Sequence, residues 1–226
     1  MFKPSDQLDF SLYRELVTEY SFTPKNEEQS TNKPTKKFVY FNEYYDAVEH
    51  VVKLLEASGI LLLSQHYYLS IFSSITAIEE LSKIYVGFYS SGQKGSKNVF
   101  YDHRLKHKLA ISPVLEMGNY YSKILDSNEF FSLIKQCHSK EGLMKIRNRC
   151  LYMERGCNSD QLFVPSLRLT QIDAAKLLTF AIAVFDEALI LYPRYQDRID
   201  RIFNKVKPIV LSDKTPLANS PLFTDD

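Results

Sequence analysis

The sequence is poor in cysteine, and its cysteines form no pattern that binds a metal. They are odd in number and make neither a CxxC pair nor a Cys/His zinc spacing. The three residues are Cys137, Cys150 and Cys157. We therefore expect reduced structural thiols rather than a disulfide or a zinc site, as is usual for proteins of the cytosol.

A strong charge of either sign is also missing. The 28 Lys and Arg face 27 Asp and Glu, which gives a formal net charge of +1. No global field then draws the chain towards nucleic acid or anionic lipid, so any basic recognition surface must be local. The first residues, MFKPSDQLDF, lack the charged-then-apolar layout of a signal peptide. This favours a soluble protein in the cytoplasm.

Only one apolar run has the length of a membrane span, and it covers residues 60–78. Gln65 and His66 interrupt the run, and the acidic pair Glu79 and Glu80 follows it directly. We therefore expect a buried central helix and no membrane partner.

Sustained polar/apolar alternation, which is typical of strands, is absent although the chain has 15 Tyr and 15 Phe. Apolar residues recur instead at helical spacing. The helices predicted in this way cover 41–57 (ended by Ser58-Gly59), 60–89, 100–110, 114–125, 127–152 (with Gly142 as a candidate break) and 171–191 (capped by Thr170). The fold class predicted is all-α, with an antiparallel helix bundle as its architecture.

The two ends of the chain differ from this middle part. Leucines at every fourth position predict a short helix over 6–20, and residues 23–37 are too polar to order themselves. From residue 206 onwards three prolines and no apolar period predict a loose tail. The expected division is an N-terminal helix and flexible linker (1–40), a helical domain (41–205) and the tail (206–226). Pro165 makes 161–169 the sole candidate for extended chain.

Three polar clusters could carry chemistry, and the first lies at the end of the apolar run. Glu79 and Glu80 precede Lys83 by four and three residues, so the lysine can pair with either carboxylate. Glu79 also continues the stripe of Phe72 and Ile75, which places a carboxylate in a partly apolar setting. An ordinary ion pair within the helix accounts for the same pattern.

The other two clusters are basic. Residues 101–108, YDHRLKHK, put His103 on one helix face with Lys106 or His107, and residues 145–152, KIRNRCLY, supply an arginine fork. Both patches could bind phosphate, and both could equally be solvated helix surface. Metal binding by His103 and His107 is disfavoured because no HExxH pattern is present.

The order of these clusters resembles the AbiV family of bacterial abortive infection proteins, which belong to the helical HEPN superfamily. The likeness spans about Tyr44 to Leu191 and is carried by AIEELSK, DHRLK and IRNRCLYME, ahead of an alanine-rich final helix. It implies a bundle of HEPN type, a homodimer and a role in defence against phage.

The resemblance further implies a toxin that cleaves RNA without a metal and needs no cofactor. HEPN ribonucleases carry an Arg, often followed by a polar residue, and then four to six residues to a His. The ribose 2′-hydroxyl attacks the adjacent phosphate in a cleft shared by two chains. Arg147-Asn148 matches the opening, but Tyr152 stands at the histidine position. A tyrosine is a poor base, although it can donate a hydrogen bond, so His103 is the remaining general acid or base.

The resemblance assigns the other roles as follows. Arg147 would stabilise the charge of the phosphorane, and Lys83 and Lys106 would hold phosphate. Glu79 or Glu80 would orient Lys83. The catalytic candidates are Glu79, Glu80, Lys83, His103, Arg147 and Tyr152, and the RNA-binding candidates are Lys106, His107, Asn148 and Arg149.

The expected partners are a second copy of the chain and RNA or the translation machinery. One alternative is a non-catalytic HEPN module that binds RNA, a ribosomal component or a phage protein through the same basic surface. A helical protein with neither role is another. The first two functions require Glu80, Lys83, His103 and Arg147 to meet in one cleft.

Overall fold

Helices make up nearly all regular structure in this computed structural model, which describes residues 41–89, 103–111, 124–155, 162–188, 193–213 and 215–223. The helices are α1 (Phe41–Leu63), α2 (Tyr67–Tyr89), α3 (His103–Ala110), α4 (Ser127–His138), α5 (Met144–Leu151), α6 (Pro165–Arg168), α7 (Gln171–Ala188) and α8 (Pro193–Ser212), followed by a 3₁₀ turn at Leu217–Asn219. Strands β1 (Glu154–Arg155) and β2 (Leu162–Phe163) form one short antiparallel pair. The all-α prediction is confirmed.

The first core helix is longer than predicted, because α1 continues through Ser58 and Gly59. Both residues serve helix packing instead of ending the helix. The buried Ser58 hydroxyl lies 2.8 Å from Ser74 Oγ in α2. A Cβ on Gly59 would lie 2.9 Å from Ile202 Cγ2 in α8, so glycine permits this close approach. The break comes later, where Gln65 adopts a φ of 64°.

Helices α1 and α2 pack antiparallel across this turn. The Ser58 hydroxyl donates to the Ser70 carbonyl at 2.9 Å, and the Ser73 hydroxyl donates to the Leu54 carbonyl at 2.9 Å. Leu54, which comes before Ser58 in α1, therefore pairs with Ser73, which comes after Ser70 in α2, as expected for antiparallel helices. The turn also divides the apolar run of 60–78, and none of the described helices is long and apolar enough to cross a membrane.

Helix α7 lies in the core, where it packs on α2, α1 and α8. Its predicted cap is confirmed: the Asp173 carboxylate accepts the Thr170 N–H at 2.9 Å, and the Thr170 hydroxyl oxygen accepts the Asp173 N–H at 3.4 Å. This reciprocal pair satisfies amides that the helix itself cannot bond. Residues 189–191 of the predicted helix lie outside the described residues.

Two smaller predictions differ in outcome. The break at Gly142 is confirmed, because this residue has a φ of +57° between α4 and α5. The prediction of extended chain over 161–169 is wrong in its second half, because Pro165 begins the short helix α6. A proline is tolerated there, since the first residue of a helix does not need its N–H for a hydrogen bond within the helix. The predictions for 1–40 and for most of 114–125 concern residues that are not described.

The two cysteines that the structure describes lie in the core, as expected for structural thiols. Cys137 and Cys150 are buried and unpaired with one another, and burial raises the pKa of both thiols. They contribute apolar volume to the core. Cys157 lies outside the described residues.

The prediction of a loose tail from residue 206 is wrong for the part that is described. Helix α8 runs on to Ser212, and Val206 and Val210 continue the buried stripe of Phe203. Beyond the helix, Leu217 and Leu222 are also buried. The apolar period of α8 begins before residue 206, so the prolines of the tail did not mark the end of the helix.

Two buried basic residues fasten this C-terminal segment, residues 215–223, to the core. Lys176 of α7, 1% exposed, pairs with Glu129 of α4 at 2.6 Å and donates to the Thr215 carbonyl. Glu129 Oε1 also accepts the Leu217 N–H at 2.9 Å. Arg149 Nη1 donates to the Pro221 carbonyl at 2.6 Å. Buried charges need such partners, so the segment completes the core.

Deletion of residues 214–226 should therefore destabilise the protein. The loss of two buried leucines costs about 3 kcal/mol or more in free energy of unfolding, and Lys176 and Glu129 lose hydrogen bonds in addition. Urea unfolding of the two chains measures the difference. Equal midpoints for the two chains would restore the loose-tail interpretation.

Candidate active site

A buried carboxylate joins three helices at the candidate site. Glu79 of α2 is 3% exposed. Its Oε2 lies 2.8 Å from His103 Nδ1 and its Oε1 lies 3.2 Å from His107 Nε2, both on α3. Arg147 of α5 places Nε 3.9 Å from the same Oε1, an ion pair too long for a hydrogen bond. We call these four residues the Glu79 cluster.

The spacing in sequence explains how one carboxylate meets two imidazoles. His103 and His107 lie one turn apart on α3 and therefore project from one face of that helix. Helix α3 packs on α2, so this face is directed at Glu79. Each histidine then takes one of the two carboxylate oxygens.

The charge state of Glu79 follows from its partners. Burial raises the pKa of this carboxyl, but its interactions with His107, the hydrogen bond first, followed by those with His103, outweigh burial and lower the pKa below its usual value. Glu79 is thus ionised near neutral pH and can only accept hydrogen bonds. Both histidines must therefore donate to it.

His107 is inside the protein and not on an RNA-binding surface, which corrects the prediction. It is 0% exposed, and its Nδ1 accepts the Leu143 N–H at 3.1 Å. The ring proton therefore sits on Nε2, which faces Glu79. Burial lowers the pKa of His107 more than Glu79 raises it, so the ring stays neutral.

His103 is the accessible partner of the pair. Its side chain is 35% exposed, and its Nδ1 donates to Glu79. This leaves Nε2 as the nitrogen that can exchange a proton with a bound molecule. A carboxylate that orients an imidazole in this way is a recurring arrangement in acid–base catalysis.

Arg147 presents a guanidinium that makes few hydrogen bonds within the described part of the chain. Its Cζ lies 5.1 Å from the centre of the Phe72 ring, and its Nη1 lies 4.0 Å from the thioether sulfur of Met144. Among the described residues its buried Nε has no hydrogen-bond partner. Such a guanidinium can bind phosphate oxygens.

Two lysines add positive charge near the cluster. Lys83 pairs with Glu80, so Glu80 orients it and Glu79 does not. Lys106 is buried, and burial, then the charge of Lys83, lower its pKa, with a smaller lowering from Arg147 and opposition from the two glutamates. Lys106 therefore lies within electrostatic reach of both Lys83 and Arg147.

Three candidates on α5 and at its end do not join the cluster in the part of the chain that is visible. Arg149 is buried, bonds the C-terminal segment and lies over the Phe163 ring at 5.5 Å, so it is structural. Tyr152 is 59% exposed where α5 ends, and no described hydrogen bond or ion pair links it to the cluster. Asn148 is half-buried, and its carbonyl accepts the Tyr152 N–H.

Sequence reasoning missed three contributors to the site: Phe72 under Arg147, the Leu143 amide bound to His107, and Gly142 beside the His107 ring. Gly142 could have been a signal, because a glycine directly before a basic helix often marks close backbone packing. In the ranges that the structure describes, including the Glu79 cluster, no group of three His, Cys, Asp or Glu side chains could hold a metal ion.

Comparison with protein families decides the relationship. The sequence model of the HEPN family AbiV matches residues 40–185, more than half of the 226 residues. The chain belongs to the AbiV family. No curated protein and no solved structure matches it.

The AbiV match includes all four residues of the Glu79 cluster and ends within α7. Helix α8 and the C-terminal segment lie beyond it. The family assignment thus covers the candidate site, and it confirms the resemblance expected from the three sequence motifs.

The neutral His107 predicts a pH dependence for this AbiV-family protein. In the unfolded chain His107 gains a proton near its ordinary pKa of 6.5, whereas the folded state binds that proton only at lower pH. Stability should therefore fall as the pH drops below about 6.5, by at most about 1.4 kcal/mol per pH unit for this group. The lowered pKa of Glu79 adds a loss at more acidic pH.

Urea unfolding between pH 7.5 and pH 5 tests this dependence. His107→Gln cannot titrate and should flatten the slope, whereas Leu167→Ala, at an exposed position on α6, removes no titrating group and should leave the slope unchanged. An unaltered slope in His107→Gln would show that another group carries the effect.

Proposed function

We propose that this AbiV-family protein is an abortive infection toxin that cleaves RNA without a metal and so stops growth or phage production. One observation carries the proposal: the Glu79 carboxylate contacts both a half-buried imidazole, His103, and the guanidinium of Arg147. These are groups that move a proton and stabilise phosphate charge. Membership of the AbiV family supports the role in abortive infection.

The proposed reaction is an internal transfer at the RNA phosphate. His103 Nε2 takes the proton of the ribose 2′-hydroxyl, and the 2′-oxygen bonds to the adjacent phosphorus. The bond from phosphorus to the 5′-oxygen breaks, and that oxygen receives a proton from a second acid. The products are a 2′,3′-cyclic phosphate and a 5′-hydroxyl end.

The cations beside His103 would stabilise this reaction. Arg147 would donate to the charge that develops on the phosphorane oxygens, since the contact described for its Nη1 is with the thioether of Met144, which is a weak acceptor. Lys83 lies one turn after Glu80 in α2, is held by that carboxylate and would bind a neighbouring phosphate of the RNA. Lys106 is buried and would act on the same charge at longer range.

Tyr152 has no role in this scheme. The phenol stands where HEPN ribonucleases carry a histidine, and it is largely exposed at the end of α5. A carboxylate-bound imidazole is the better acid–base group near neutral pH. We therefore assign proton transfer to His103.

Arg147→Ala should reduce RNA cleavage by about 100-fold or more, because a lost donor to developing charge typically costs about 3 to 4 kcal/mol in the barrier. Tyr152→Phe, which removes only a hydroxyl, should keep most of the activity. The measurement is the mapping of new cyclic-phosphate ends after incubation with total cellular RNA, with and without chelator. Phage protection in cells should follow the same order.

Arg201→Ala on α8 is the matched control, because it removes an exposed arginine far along the chain from the cluster. Circular dichroism must show that Arg147→Ala folds, since a partner of a buried charge is removed. Folded Arg147→Ala that protects cells as well as the parent would refute the site. If the parent protects but produces no new RNA ends, a non-catalytic binding module is the better description.

A homodimer is part of the proposal, because the second acid of the reaction would come from the partner in a shared cleft. A symmetric pair is the usual arrangement of two identical chains. Light scattering at micromolar concentration should give twice the mass of 26.3 kDa. A strictly monomeric mass combined with full cleavage activity would contradict the shared cleft.

A further inference from the structure

We propose that His107 is a positioning residue: it fixes the Glu79 carboxylate and the start of α5 relative to each other, and so places Arg147 and His103 around one reacting phosphate. This inference rests on the proposed function. Both ring nitrogens of the fully buried imidazole are used, Nε2 towards Glu79 Oε1 at 3.2 Å and Nδ1 towards the Leu143 N–H at 3.1 Å.

The contact with Leu143 controls the helix that carries Arg147. Leu143 is the N-cap residue of α5, and its own side chain makes no capping hydrogen bond. The His107 ring accepts its amide instead, which is one of the donors that a helix start leaves unsatisfied. The first turn of α5 then links Leu143 to Arg147, because the Arg147 N–H donates to the Leu143 carbonyl at 2.9 Å.

Gly142 makes this contact possible. A Cβ at this position would lie 2.5 Å from His107 Nδ1, and the backbone φ of +57° also disfavours other residues. The loop is held from the other side by Gln136, whose Nε2 donates to the Gly142 carbonyl at 2.7 Å. The ring therefore rests against a backbone with little freedom to move.

The contact with Glu79 determines which group each carboxylate oxygen faces. Oε1 lies between His107 and Arg147, and Oε2 faces His103 at 2.8 Å. Without the His107 donor, the carboxylate can rotate, and both neighbours lose their fixed partner. Displacements of about 1 Å at such a site can cost about 100-fold in rate.

Two substitutions separate the two bonds. In His107→Gln the side-chain amide nitrogen replaces Nε2 as the donor to Glu79. In His107→Asn the amide oxygen replaces Nδ1 as the acceptor for Leu143, and no donor reaches Glu79. We expect kcat for RNA cleavage to fall about 10- to 100-fold in His107→Asn with little change in KM, and less in His107→Gln.

A spectroscopic measurement tests the inference independently of activity. In the parent, nitrogen NMR of labelled histidine should show a protonated Nε2 and a bare Nδ1 for His107 at pH 7. Carboxyl NMR should show Glu79 titrating at higher pH in His107→Asn than in the parent or in His107→Gln, because the donor that lowers its pKa is lost. His50→Asn should change neither signal.

The results distinguish the two proposals. If the tautomer and the Glu79 titration behave as expected but the parent produces no RNA ends, the positioning is real and the cleavage proposal fails. A protonated Nδ1, or a Glu79 titration that is the same in His107→Asn and the parent, overturns the positioning role. If His107→Asn does not fold, the tautomer in the parent and the titration in His107→Gln still decide the question.

Discussion

The burial of the Glu79 carboxylate is the constraint on which the site depends. A charge that is 3% exposed must be compensated by nearby donors, because it has lost nearly all its water. Its compensation comes from two other helices, through His103 and His107 on α3 and Arg147 on α5. The same bonds that make the charge tolerable therefore assemble α2, α3 and α5, and stability and site geometry cannot be changed separately.

Local periodicity predicted the helices that carry the site and the motifs that meet at Glu79, but it did not predict α6 or α8. It failed where a residue's role is tertiary. Ser58-Gly59 has the composition of a helix end, but it lies where α1 contacts α2 and α8. The HRLKHK segment has the pattern of a solvated face, and spacing alone does not reveal that His107 is buried whereas His103 is accessible. The burial of each histidine depends on how α3 packs against the other helices, and the spacing of residues in the sequence does not determine that packing.

A second buried charge pair, Glu129 and Lys176, makes the residues after α8 part of the folded domain. Glu129 and Lys176 lie inside the part that matches the AbiV family, but they bind the backbone of Thr215 and Leu217, which lies outside it. Removing one partner of such a pair costs more than the pair itself contributes, since a charge is left buried. The segment after α8 is consequently required by residues within the matched region, although its prolines and lack of an evident period suggested otherwise.

The two histidines show how environment assigns different tasks to one side-chain type. Each donates to the same carboxylate, but His107 uses its other nitrogen on the Leu143 amide and has no route to solvent, whereas His103 keeps a nitrogen accessible. Only an accessible nitrogen can exchange a proton with RNA. In the proposed mechanism, acid–base chemistry thus depends on a histidine of α3 and not on the end of α5. The phenol of Tyr152 at the usual histidine position is then compatible with cleavage, because the proton has another carrier that Glu79 already orients.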